Sequence, residues 1–160
     1  MRAMIVFFVL LAALGGALVV VQASINGELR LVVGDPYRTA LISTTVSTIF
    51  LFALSGLVMG KPVPDGSTFT NASWWMWIGG ILGAIYVAAV AVLITKLGSA
   101  VLFTLVIFGQ LLMAVMMDHF GWIGLEKHPI SAPRILGIIL VFAGVVLYYL
   151  TELALGSVGL

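Results

Sequence analysis

Gln22 and Asn26 stand four residues apart within a chain segment that is otherwise almost wholly apolar. On a helix, that spacing puts both carboxamides on one face. A carboxamide in an apolar interior costs free energy unless it is hydrogen-bonded. The pair therefore needs a partner helix, a cavity or a ligand. Amides both donate and accept, which suits neutral or zwitterionic substrates and exchangeable water. Gln110 is the matching case in a later apolar run, and Met113, Met116 and Met117 follow it. Met113 and Met117 share its helical face, and flexible, polarizable methionine can line an adaptable binding surface. Interhelical bonding is the other reading of the amides, and lipid-facing filling is the other reading of the methionines.

Charged groups are few. Glu28 is the acid nearest the membrane in the first run, with Arg30 two residues on. Residues two apart do not face each other on a helix. Glu28 and Asp118 are the candidates for ion or proton coupling, with interfacial solvation as the alternative for both. No acid sits in the middle of an apolar run, so a central carboxylate that exchanges protons with a cationic drug is not evident. The chain carries no H-E-x-x-H, phosphate-binding loop, G-x-S-x-G or Cys/His cluster, so enzymatic function has little support and no cofactor is implied. It contains no cysteine, which excludes disulfides and thiolate metal sites. A net charge of +1 with no Lys/Arg cluster gives no nucleic-acid surface.

The elements that must position these residues are membrane helices. Five stretches, Ala3–Val21, Thr39–Met59, Trp74–Thr95, Leu97–Met117 and Ile135–Thr151, contain no Asp, Glu, Lys, Arg or His. A bilayer core of about 30 Å needs about 20 apolar residues in helical form. Backbone hydrogen-bond demand in lipid makes such stretches helices, since they are too long for barrel strands. The composition agrees: 62% of residues are hydrophobic and 8% are charged. The first run exceeds the roughly 7–15-residue apolar core of a signal peptide, so it is read as a retained helix. The fold class is an all-α membrane protein, one transmembrane domain with helices at about 3–33, 38–59, 74–95, 97–118 and 133–152 and a short tail at 153–160.

Local signals refine this reading. Gly34-Asp35-Pro36 ends the first helix, which must tilt, bend near Gly27 or leave the membrane. The second helix is rich in hydroxyls from Thr39 to Ser55, which suit close interhelical packing and hydrogen bonding across an interface, or a hydroxyl-lined path. The polar stretch from Gly60 to Ser73 reads as a loop. Trp74, Trp75 and Trp77 open the third helix as an interfacial belt. Gly79 and Gly83 form a G-x-x-x-G packing face, and Gly137 and Gly144 form a second small-residue seam on the fifth helix. Leu97-Gly98-Ser99 makes a tight turn between the third and fourth helices. Ser131 is placed as the N-cap of the fifth, with Pro133 in its first turn.

Lys and Arg are nearly balanced across the membrane. Arg2, Lys61, Lys127 and Arg134 lie on the N-terminal side, against Arg30, Arg38 and Lys96 on the other, or four against three. Orientation follows Lys/Arg asymmetry in short loops. A near-even count leaves two readings open: a fixed orientation set by finer detail, or dual topology with pairing as an antiparallel homodimer or with a homologous subunit. The antiparallel dimer mimics the inverted repeats of larger transporters.

Four strings, "QASINGELR", "WWMWIGGILGAIYV", "FGQLLMAVMMDHFG" and "RILGIILVFAGVVL", occur in order across most of the chain. Together they resemble the half-size YdcZ-type family of bacterial inner-membrane proteins, within the drug/metabolite transporter superfamily. The last helix is also similar to that of small multidrug resistance transporters. The resemblance implies a five-helix half-transporter, equivalent to one repeat of the superfamily fold and working as a dimer in the inner membrane. It places Gln22, Asn26 and Gln110 near the functional site. Small multidrug resistance proteins carry a central glutamate on the first helix, where this chain offers Gln22, which argues against proton-coupled export of cations.

The expected function is export of a small molecule, a drug or metabolite, by alternating access in a dual-topology dimer. Gln22, Asn26 and Gln110 would contact substrate, and Tyr86, Met113 and Met117 would shape the apolar part. A dimeric ion channel and an accessory subunit of a membrane complex are the alternatives.

Overall fold

The computed structural model describes the backbone of residues 2–156 and the side chains of residues 4–156. Of the tail expected at 153–160, residues 157–160 lie outside the described residues, as does the side chain of Arg2. The described chain is helical throughout: six α-helices and two short 3₁₀ segments. Five helices are long and apolar enough to cross a membrane, at Met4–Val33, Pro36–Met59, Trp74–Leu97, Ser99–Phe120 and Ala132–Ala154.

Helix α1 (Arg2–Val33) runs without interruption for 32 residues, about 48 Å at 1.5 Å per residue. Gly27 does not break it, so its excess length is taken up by tilt or by projection beyond the hydrocarbon. Gly34 stops it in the left-handed region, φ 78°, and the Gly34 amide donates to the Arg30 carbonyl at 2.8 Å. Asp35 then caps α2 (Pro36–Met59), its Oδ1 accepting from the Arg38 amide at 2.7 Å. Pro36 fits the first helical position, where no amide donor is needed.

Four hydroxyls of α2 bond to the chain just behind them. Thr39, Thr44, Ser47 and Thr48 each donate to the carbonyl four residues back. Hydrogen bonding across an interface was expected for this row; local back-bonding satisfies the donors without a second helix.

Three further departures from the sequence reading concern helix starts and a loop. Within the polar stretch, Gly66–Asn71 forms a short helix, α3. Trp74–Trp77 is a 3₁₀ turn and not the first α-turn of the third span, whose α4 begins at Ile78 and runs to Leu97. Such tightened turns are common at helix N-termini, and Phe69 stacks on Trp77 at 5.6 Å. Gly98, φ 75°, is the whole connection to α5 (Ser99–Phe120), and Gly121, φ 65°, closes that helix. Ser131 occupies the N-cap position of α6 (Ala132–Ala154), but its side chain makes no capping bond.

The chain forms two compact units, Met1–Thr95 and Lys96–Leu160. In the first, α1 packs on α2. Its buried residues include Ala23, Asn26, Thr39, Ala40, Ala88, Ala91 and Ile94. Small residues permit this approach. A Cβ built on Gly27 would lie 2.6 Å from Ile94 Cγ2, so α1 and α4 touch through the missing side chain. In the second unit, α5 packs on α6. Phe108 and Phe142 meet there at 5.1 Å.

Most large apolar side chains face outward, including Phe7, Leu10, Phe50, Leu57, Ile81 and Leu140. In a bilayer, lipid tails solvate them, so outward apolar surface is the expected state. Gly79, Gly83, Gly137 and Gly144 also face open space, with no atom within 4 Å of a built Cβ.

Candidate functional site

The sequence of α1 places Ala23, Asn26 and Gly27 toward the inside of the first unit, all buried, while Ile25 on the same turn is exposed. Gln22 and Asn26 open onto a cleft of about 360 Å³ between α1 and α2. Ser43 and Ser47 line it from α2, and Leu18, Val21, Ile25 and Val46 supply apolar walls. The structure therefore brings the two sequence-predicted amides together and adds two hydroxyls that the sequence reading assigned to helix packing.

Hydrogen bonding in this cleft is incomplete. Asn26 is only 5% exposed, yet its carboxamide bonds to no other described residue. Gln22 and the Ser43 hydroxyl also lack protein partners among the described residues. Ser47 donates to the Ser43 carbonyl at 3.0 Å and retains its acceptor capacity. Buried polar groups in native proteins are almost always paired with protein or water, and an exception marks a place where something else binds or moves.

Arg30 lies one turn beyond Asn26, so that Gln22, Asn26 and Arg30 form an i, i+4, i+8 stripe. Its Nη1 donates to Thr95 Oγ1 at 3.2 Å. Its Nε is sealed from solvent and has no acceptor. Sequence reasoning compared Arg30 with Glu28, two residues away; its described partner is Thr95 of α4, and it is not among the residues that line the α1–α2 cleft.

A second cleft, about 470 Å³, lies between α2 and α4. Although larger, it is built from alanines and aliphatic side chains around Pro36, the exposed Tyr37 and Thr44. The Thr44 hydroxyl is already bonded to the Ala40 carbonyl at 2.8 Å. Its surface suits an acyl chain or another apolar segment better than a polar solute.

The remaining predicted residues fall elsewhere. Tyr86 lies on α4 in the first unit and lines neither cleft. Glu28 is exposed on α1. Gln110, Met113 and Met117 lie along α5 in the second unit, where Gln110 and Met113 are exposed and Met117 is half-buried. Asp118, at the end of α5, pairs with Arg134 at 3.3 Å, each side chain 35% exposed. Arg134 also donates to the His128 carbonyl at 3.1 Å, and the His128 amide donates to the Asp118 carbonyl at 2.9 Å. His119 Nδ1 accepts from the Ile130 amide at 3.2 Å. These bonds tie the 121–131 loop to the helix ends.

Five apolar spans define a polytopic helical membrane protein, and two amides open onto a cleft between the first two of them. Residues 7–147 match the family model described as "Putative inner membrane exporter, YdcZ". The chain belongs to this family and is a multi-pass inner-membrane protein. Family membership implies a transporter and not an enzyme. Neither a curated protein nor a solved structure matches the chain.

Proposed function

We propose that this chain is a half-transporter that exports a small drug-like or metabolic solute by alternating access, with the α1–α2 cleft as its substrate site. The observation that carries the reading is the Asn26 carboxamide, which lines that cleft without a described protein partner on a residue only 5% exposed. An amide left unbonded in a membrane interior costs free energy that a passing solute recovers by bonding to it.

In this reading the functional unit is an antiparallel dual-topology homodimer, or a pair with a homologous subunit. Each chain corresponds to one repeat of the drug/metabolite transporter fold. The near-even Lys/Arg count supports this, and so do the open glycine faces at Gly79/Gly83 and Gly137/Gly144. Gln110, Tyr86, Met113 and Met117 extend the substrate path, and Glu28 and Asp118 are the groups available for ion or proton coupling.

The test compares cells expressing the wild type or Asn26→Leu at matched membrane levels, with small metabolites quantified in cells and medium. Export predicts at least one solute released by the wild type and retained by Asn26→Leu. Identical profiles for wild type, variant and empty vector would sink the reading. Reporters active only in the cytoplasm or only in the periplasm, fused after Leu160, test the pairing. Comparable activity from both supports dual topology, and activity from one alone contradicts it.

A further inference from the structure

We infer that the cleft takes an uncharged solute with two hydrogen-bonding groups about 6 Å apart, the rise of one helical turn. Asn26 and Ser43 hold one group, and Gln22 and Ser47 hold the other. The inference rests on the α1–α2 cleft being the substrate site and names the class of solute it takes.

The four polar side chains of the cleft are set at two levels. Helices α1 and α2 are joined by Gly34 and Asp35 alone and pack on each other, so they run antiparallel. Asn26 stands seven residues before Val33, the last of α1, and Ser43 stands seven residues after Pro36, the first of α2. Gln22 stands eleven residues before Val33, and Ser47 eleven after Pro36. Both helices rise about 1.5 Å per residue. Equal counts from one bend therefore put Asn26 level with Ser43 and Gln22 level with Ser47. All four residues line the cleft, so each level offers it one carboxamide and one hydroxyl. Leu18 and Leu29, which also line it, bracket the polar row along α1.

The second observation is the bonding left open at both levels. At the first, the Asn26 carboxamide and the Ser43 hydroxyl have no partner among the described residues. At the second, the Gln22 carboxamide has none, and the Ser47 hydroxyl donates to the Ser43 carbonyl and can still accept. A carboxamide both donates and accepts, so either level can hold a hydroxyl, carbonyl or amide group of a solute. None of the described residues that line the cleft is charged. An ion entering from water would lose its hydration there without meeting a counter-charge, which is costly. An uncharged solute gives up only hydrogen bonds to water, and the two levels replace them. Its apolar body rests on the aliphatic walls between and beyond the levels.

The test uses the purified full-length protein in a neutral detergent with three probes on one ring: trans-1,4-cyclohexanediol, trans-1,2-cyclohexanediol and trans-1,4-cyclohexanedicarboxylate. Binding is read from the rise in unfolding midpoint with probe concentration. The 1,4-diol spans both levels and should raise the midpoint. The 1,2-diol reaches one level and should need about tenfold more probe for the same rise, the scale of one or two neutral hydrogen bonds. The dicarboxylate should leave the midpoint unmoved. Gln22→Leu and Ser47→Ala each remove a group from one level and should weaken 1,4-diol binding about three- to tenfold. Both should still bind the 1,2-diol, at the other level, which separates recognition from folding. The inference is overturned if the two diols bind alike, if the dicarboxylate matches the 1,4-diol, if the wild type ignores the 1,4-diol, or if both variants bind it like the wild type. Uptake into vesicles, above that of protein-free vesicles, separates this from the export reading. Spacing-selective binding without uptake upholds the two-level site and removes transport. Uptake that carries the dicarboxylate as fast as the 1,4-diol upholds transport and removes the two-level site.

Discussion

The α1–α2 cleft and the α5–α6 hairpin end both gather polar groups against apolar helices, and they treat them in opposite ways. At the end of α5, Asp118, Arg134, His119 and the 121–131 backbone bond to one another. In the cleft, the side chains of Asn26, Gln22 and Ser43 bond to nothing described. Mutual satisfaction makes a latch, which costs little and holds a loop in place. Incomplete satisfaction inside apolar walls costs stability and is retained where a solute completes the bonding. Bonding completeness separates the two regions.

The comparison breaks first at Asn26. Asn26→Leu should abolish solute release while leaving the unfolding midpoint unchanged or higher, because the amide it removes bonds to no described residue. A variant that lost stability in step with activity would place Asn26 among the structural groups of the latch type. Gly27→Ala should be the largest purely structural effect. Its methyl enters the space of Ile94 Cγ2 at 2.6 Å, on a stiff β-branched side chain. Overpacking of this kind costs about 1–3 kcal/mol. Adding Ile94→Ala should restore part of the loss, measured by thermal unfolding in detergent. Asp118→Asn should cost less, about 0.5–1 kcal/mol for a part-exposed pair, and leave solute release near wild type. Loss of release without loss of stability in Asp118→Asn would move that residue from latch to coupling group. The smallest effect is expected at Lys61–Asp65, an ion pair whose side chains are 69% and 70% exposed. Asp65→Asn should change neither stability nor release within about 0.5 kcal/mol.

The sequence made the spans legible because lipid leaves so few options. An uncharged run long enough to cross is a helix, and all five runs are helical. Some punctuation was readable too: Gly34 and Gly98 take positive φ where a helix end and a tight turn were expected, while Pro36, read as ending the first helix, also opens α2 two residues before the expected start. The weak points follow from local competition. The Trp-rich start of the third span tightened into a 3₁₀ turn, and four of the α2 hydroxyls chose the carbonyls four residues back, because neither choice is visible in composition. For the site, the i, i+4 pairing of Gln22 and Asn26 was sufficient to place both in one cleft. Ser43 and Ser47 were hidden among seven hydroxyls on one helix, and only the facing of α1 and α2 selects them.

The cysteine-free sequence allows the central claim, that the α1–α2 cleft is a solute path, to be tested by position. Gln22→Cys, Ser47→Cys and Phe52→Cys are made singly, and each is reacted with a water-soluble maleimide in sealed vesicles. A solute path predicts fast labelling at Gln22→Cys and Ser47→Cys, slowed by a transported solute, and none at Phe52→Cys, which is exposed on the face of α2 turned away from the cleft. Labelling at Gln22→Cys and Ser47→Cys no faster than at Phe52→Cys would mean that the cleft is filled by lipid, and the claim would fail.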